Sequence, residues 1–133
     1  MVDITPKTRI HNFMRKHDDM IKSGKVSVWI GSMNSEDELL AYVDEGAFGR
    51  DFDFVINPNA GRELVAKQHP TPVSELVEGF SYSKAFGQTS VKNAHDLGFN
   101  TANCMVVLYA FEYVPTKATN PNSSLAFVGA FDF

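Results

Sequence analysis

The run Cys104-Met105-Val106-Val107-Leu108-Tyr109-Ala110-Phe111-Glu112-Tyr113 constrains this chain most. It is nearly continuous in apolar side chains and rich in β-branched and aromatic residues, which suit a pleated, packed surface. Uninterrupted apolar strands have both faces covered, so this run predicts the central strand of a sheet. Leu125–Phe133 behaves differently. Leu125, Phe127, Phe131 and Phe133 alternate with smaller or polar residues and share one side with Gly129, which predicts a second strand. The polar, Pro/Asn/Ser/Thr-rich stretch Val114–Ser124 between them reads as a loop, so the two strands are expected to pair antiparallel.

Further strands and helices follow from periodicity and punctuation. Val26-Ser27-Val28-Trp29-Ile30 reads as a strand ended by Gly31. Ser35, with Glu38 three residues on, is a capping box that opens a helix through Leu39, Leu40, Tyr42 and Val43. Upstream, Ile10, Phe13, Met14, His17 and Ile21 fall on one helical face over residues 7–22, with Thr5 as cap, Pro6 at the first position and Gly24 as stop. Phe52, Phe54 and Ile56 alternate as in a half-buried strand, Asn57–Gly61 is turn chemistry, and Arg62–Lys67 is either a short strand or a helical turn. Thr71 is expected to cap a short helix carrying Val73, Leu76 and Val77. A longer helix over 83–96 would bury Phe86, Val91, Ala94 and Leu97 and close at Gly98. The fold class is therefore α/β of the α+β kind: a mixed, largely antiparallel sheet of four to five strands with helices mainly on one face. One domain is expected over 1–133, made of a basic lead-in at 1–25 and a core at 26–133.

A chain of 133 residues removes roughly two-thirds of its unfolded surface from water, and the 44% hydrophobic content supplies the core. The single cysteine, Cys104, builds no disulfide framework and reads as a small buried hydrophobe. No stretch reaches the ~20 apolar residues that span a bilayer, and Lys7, Arg9, Arg15 and Lys16 interrupt any signal-like apolar segment. Cytoplasm is the expected location. Net charge is −4 but unevenly placed: residues 1–25 carry +3 and the remainder −7. The excess concentrates between Glu36 and Asp53, a distribution that disfavours phosphate backbones and favours a basic protein partner.

Motifs for chemistry are lacking. His11, His17, His69 and His95 form no zinc-ligand spacing, and the neighbouring acids in His17-Asp18-Asp19 and His95-Asp96 point about 100° away on a helix. Gly46-Ala47-Phe48-Gly49 is too short for a phosphate loop, and no serine sits in a G-x-S-x-G elbow. No catalytic residue, metal or cofactor is implied. Trp29, Tyr109, Phe111 and Tyr113 share one alternation phase; they are read as core, or as an aromatic face for a protein partner or for self-association. The acidic balance argues against nucleic acid on that face. Asn122-Ser123-Ser124 matches a glycosylation sequon by chance.

Three blocks in order resemble the immunity protein 22 family of bacterial polymorphic toxin loci. The first is Val26–Gly31 followed by Ser35-Glu36-Asp37-Glu38-Leu39 and Tyr42. The second is Glu75-Leu76, Glu78-Gly79-Phe80-Ser81-Tyr82-Ser83 and Phe86. The third is Val107–Tyr113, closed by Phe127-Val128-Gly129-Ala130-Phe131. The blocks span roughly residues 26–131, leaving the basic lead-in outside. The chain departs from the family pattern at Asp53–Asn59, where further acids are often found.

The resemblance implies a bacterial protein that neutralises a cognate toxin by protein–protein contact, without catalysis. Combined with the charge distribution, it makes Glu36, Asp37, Asp44, Glu45, Asp51 and Asp53 the candidate contact residues for a toxin with a basic surface. No membrane or nucleic acid is expected among the partners. Two rival readings stand beside it: a structural domain that self-associates, as in a homo-oligomer, and a small enzyme whose carboxylates and histidines converge from distant segments.

Overall fold

A computed structural model describes residues 15–57, 60–117 and 119–133. The strands are β1 (Arg15–Lys16), β2 (Ile21–Gly31), β3 (Phe54–Val55), β4 (Arg62–Pro72), β5 (Thr101–Phe111) and β6 (Leu125–Asp132). The helices are α1 (Glu36–Asp44), α2 (Ala47–Phe52), α3 (Val73–Glu78) and α4 (Ser83–Asp96), with a 3-10 turn at His17–Met20. The expected mixed α+β architecture is present. A four-stranded antiparallel sheet runs β4-β5-β2-β6, and β1 and β3 form a separate two-stranded parallel pair.

The apolar run does form a central strand, but β5 and β6 do not pair with each other. β2 lies between them. The reason is hydrophobic: β2 and β5 carry the side chains that need cover on both faces, so they occupy the two inner positions. The half-exposed β4 and the partly buried β6 take the edges.

Helices cover both faces, where the sequence pattern placed them mainly on one. Below the sheet, α1 and α2 bury Leu39, Val43, Phe48 and Phe52 against Trp29, Val106, Leu108 and Tyr113. Above it, α3 and α4 bury Leu76, Val77, Phe86 and Ala94 against Val28, Ile30, Met105 and Val107. Two backbone irregularities decide which aromatic ring goes where. Ala110 adopts φ 55°, so Tyr109 belongs to the upper cluster while Phe111 and Tyr113 enter the lower one. Gly129 adopts φ 153° beside a register shift, leaving Leu125 and Phe127 below and sending Phe131 and Phe133 above. Of the two readings of Trp29, Tyr109, Phe111 and Tyr113, core holds for Trp29, Phe111 and Tyr113, while Tyr109 is half-buried, so the four form no open aromatic face. Trp29, Phe111 and Tyr113 are buried, and the ring of Trp29 meets Phe48 at 5.0 Å, Phe127 at 5.2 Å and Tyr113 at 5.4 Å. Truncating a fully buried ring of this kind to alanine costs about 3–5 kcal/mol.

Four local expectations are corrected. The helix over 7–22 lies largely outside the described residues; its described end, 15–22, is instead β1, the 3-10 turn and the start of β2, and Gly24 lies within β2. Phe52 ends helix α2 instead of belonging to a strand. Phe48 and Phe52 are one helical turn apart, and both reach Trp29, at 5.0 and 5.8 Å. The apolar spacing i, i+4 overrides the period-2 pattern there. Arg62–Lys67 resolves as strand, and β4 continues through Thr71, whose hydroxyl donates to the His69 carbonyl instead of capping α3. Leu97 follows the end of α4 and is exposed. No helix among the described residues is long and apolar enough to cross a membrane.

Candidate interaction surface

The acidic stretch folds into two parts with different surroundings. Helix α1 begins with the expected cap: Ser35 Oγ accepts the Glu38 amide at 3.1 Å, and the Glu38 carboxylate reaches back to the Asn34 amide at 3.3 Å. Glu36 and Asp37, in the first turn, are exposed and favoured there by the helix dipole. Asp37, Ala41, Asp44 and Glu45 stand at i, i+4, i+7 and i+8, so they line one outward stripe. No basic residue lies in the last turn of α1 to offset them. Asp44 makes an ion pair with Arg62 of β4 at 2.6 Å, and its side chain stays 46% exposed.

Asp51 and Asp53 point elsewhere. The Asp51 carboxylate accepts the Tyr42 hydroxyl at 2.6 Å and the Asn120 side-chain amide at 3.0 Å, and its carbonyl accepts the Asn120 backbone amide at 2.7 Å. Burial first, and then the bond to Asp51, push the Tyr42 hydroxyl well above the usual tyrosine range, so it stays protonated and donating. Asp53 accepts the Thr116 hydroxyl at 2.9 Å, while its carbonyl accepts Arg15 Nε at 3.2 Å. Tyr113 adds a bond from its hydroxyl to the Phe52 carbonyl at 2.7 Å. Together these groups tie the Val114–Ser124 connection to α2. Of the six candidate acids, Glu36, Asp37, Asp44 and Glu45 face outward on α1, whereas Asp51 and Asp53 serve as anchors.

A second corner was not legible as a site in the sequence. On the upper face, the Glu63 carboxylate accepts the Ser81 amide and the Ser81 hydroxyl, both at 2.8 Å, and the Tyr109 hydroxyl at 2.6 Å. Burial raises the Glu63 pKa, but these three bonds outweigh it and hold the carboxyl below the usual glutamate range. Tyr82 follows at the start of α4 with φ 61° and is 64% exposed. Its ring lies 5.9 Å from Tyr109 and 5.1 Å from Phe133. A shallow groove of about 640 Å³ runs between α3 and α4, with Val77, Gly87 and Val91 on its floor and Lys84, Lys92 and His95 along it.

Chemistry has little to work with in the described residues. No three His, Cys, Asp or Glu side chains there converge on a metal-sized site. His17 is buried and stacks on Phe111 at 4.4 Å. The Cys104 thiol is buried and, chiefly by loss of solvation, pushed up to about 12, which leaves it unionised at neutral pH.

Neither a curated protein nor a solved structure matches this chain. The family profile described as Immunity protein 22 does, over residues 26–133, which begins within β2 and takes in α1 through α4 and β3 through β6. With more than three-quarters of its length so matched, the chain belongs to the Immunity protein 22 family.

Proposed function

We propose that this protein neutralises a cognate bacterial toxin by binding to it, and that the outward face of α1 makes part of the contact. Membership of the Immunity protein 22 family carries the reading. The charge distribution supports the choice of surface. Glu36, Asp37, Asp44 and Glu45 are exposed along one short helix in a chain of net charge −4. Such a face attracts a basic partner, speeds encounter by long-range steering and loses that advantage in salt. In this reading the protein acts stoichiometrically in the cytoplasm, by occluding the toxin, and no bond is made or broken.

The test is co-expression with the product of the reading frame beside this gene, followed by co-purification at low and high salt. Rescue of growth together with a salt-sensitive complex is the expected result. Continued toxicity with no complex at either salt would overturn the proposal. A complex whose affinity is the same at both salts would keep neutralisation and remove α1 from the contact.

A further inference from the structure

Tyr82 occupies a conformation that its residue type disfavours, and it does so at the surface. A tyrosine at φ 61°, ψ 18° carries a backbone cost that glycine at the same place would not carry. Its neighbours hold it there. Ser81 is clamped to Glu63 through both its amide and its hydroxyl, and the Tyr109 hydroxyl, which donates to Glu63, also lies 2.8 Å from the Ser81 carbonyl oxygen. The result is a cluster in which Tyr82, Tyr109 and Phe133 meet edge to face at 5.1 to 5.9 Å, with Tyr82 outermost. Glu63 borders a cleft of about 290 Å³ between β4 and α3, and its Oε2 accepts one described hydrogen bond, which leaves it room for another.

The chemistry of this corner selects a cation. Ring faces attract positive charge, and a carboxylate beside them both attracts it and accepts its protons. Among the described residues no cation lies over these three rings; the cation–π contact described is Arg15 over Tyr113, in the lower cluster. A planar guanidinium satisfies both features at once, because it stacks on an aromatic face while its edge N–H groups fork toward a carboxylate. An anionic side chain would meet Glu63, and an aliphatic one would leave the carboxylate unused. We propose that the Tyr82–Glu63 corner is a receptor for an arginine side chain of the bound toxin, with the guanidinium over Tyr82 and hydrogen-bonded to Glu63. The proposal rests on the toxin-binding reading above and adds to it an anchor on the opposite face of the sheet from α1.

The full chain is titrated with the probe acetyl-Gly-Arg-Gly-amide while the aromatic NMR signals are followed. Saturable shifts of the Tyr82, Tyr109 and Phe133 rings are expected, with acetyl-Gly-Glu-Gly-amide producing none. Glu63→Gln should weaken the arginine response about tenfold. Tyr82→Gly should abolish it while leaving the thermal midpoint level or higher, because glycine relieves the positive φ. If the arginine and glutamate peptides shift these rings equally, or if Tyr82→Gly responds like the parent, the receptor does not exist. The same Tyr82→Gly chain should bind the neighbouring gene product at least about tenfold more weakly, as anchor residues of this kind do; unchanged affinity would overturn the assignment to the toxin interface. An intact arginine response with no toxin complex would instead sink the toxin reading and leave the receptor standing.

Discussion

Ser27 and Phe111 are joined where the central strand pair loses its regular register: the Ser27 hydroxyl donates to the Phe111 carbonyl at 2.7 Å and accepts the Tyr113 amide at 2.9 Å. The ladder pairs Ser27 with Leu108, and the left-handed Ala110 then diverts the strand. One buried hydroxyl thus satisfies two backbone groups that the bulge would otherwise orphan. Ser27→Ala should lower the unfolding free energy by about 2 kcal/mol, since a donor and an acceptor are left dry. Urea denaturation measures it, and a loss below about 0.5 kcal/mol would mean that water replaces the hydroxyl.

Gly31 sits where β2 passes under the end of the Val114–Ser124 connection. A Cβ there would overlap the Ser124 carbonyl oxygen, a backbone atom that cannot swing aside as a side chain could. Gly31→Ala is expected to cost about 2–3 kcal/mol or to displace the Ser124–Leu125 backbone. Thermal unfolding gives the cost. An unaltered midpoint would show that β6 shifts without penalty.

The two halves of the acidic stretch should separate experimentally. Reversing Glu36, Asp37 and Glu45 to lysine should slow toxin association and flatten its salt dependence; the helix-dipole interaction lost at Glu36 and Asp37, in the first turn, costs about 1 kcal/mol and is partly offset by a lysine at the C-cap position 45. Asp51→Ala should do the converse. It releases Tyr42 and Asn120, lowers stability by about 1–2 kcal/mol and speeds amide exchange in the Val114–Ser124 connection, with toxin association rate unaffected. Stopped-flow association and hydrogen exchange on the same two chains distinguish the roles, and a slower association for Asp51→Ala would place that carboxylate in the contact.

His17 makes stability depend on pH. Burial lowers its pKa below the ordinary 6.5, with Asp18 opposing, and its Nδ1 has no hydrogen-bond partner among the described residues. The unfolded chain therefore takes up a proton near pH 6.5 that the folded chain refuses. In that window more protons are bound by the unfolded state, so stability falls as pH drops from about 6.5 toward the folded pKa and levels off below it. His17→Phe preserves the stack on Phe111 and removes the proton, so its stability should decline less between pH 7.5 and pH 5 than that of the parent. Equal declines, measured by denaturant titration at both pH values, would assign the pH dependence to other groups.

Much of the local structure was legible because it rests on short-range chemistry. The Ser35 cap, the β-branched content of Val26–Ile30 and the span of helix 83–96 are each decided within a few residues, and each is found where expected; the Glu38 carboxylate departs from the box by bonding Asn34 instead of the Ser35 amide. Phe48 and Phe52 show the limit. Their one-turn spacing was present in the sequence, but it competed with the alternation of Phe52, Phe54 and Ile56, and only the position of Trp29 decided between them. The Glu63–Ser81–Tyr109 cluster was illegible for a different reason. Its members are 18 to 46 residues apart, and hydrogen bonds between such groups leave no periodic trace.

The amino-acid sequence by itself determined the central strand β5, the Ser35 cap, the acidic bias and the family, since composition, period and motif order are properties of the chain. Tertiary structure alone decided that β2 separates β5 from β6, that helices cover both faces, and that Asp51 and Asp53 turn inward while the α1 acids face out. The physical reason is that these outcomes depend on which apolar faces meet. Two positive-φ residues beside register shifts, Ala110 and Gly129, each reverse the side on which every later ring of their strands lands, and such a change of phase cannot be seen in a pattern of period two until its partner strand is in place.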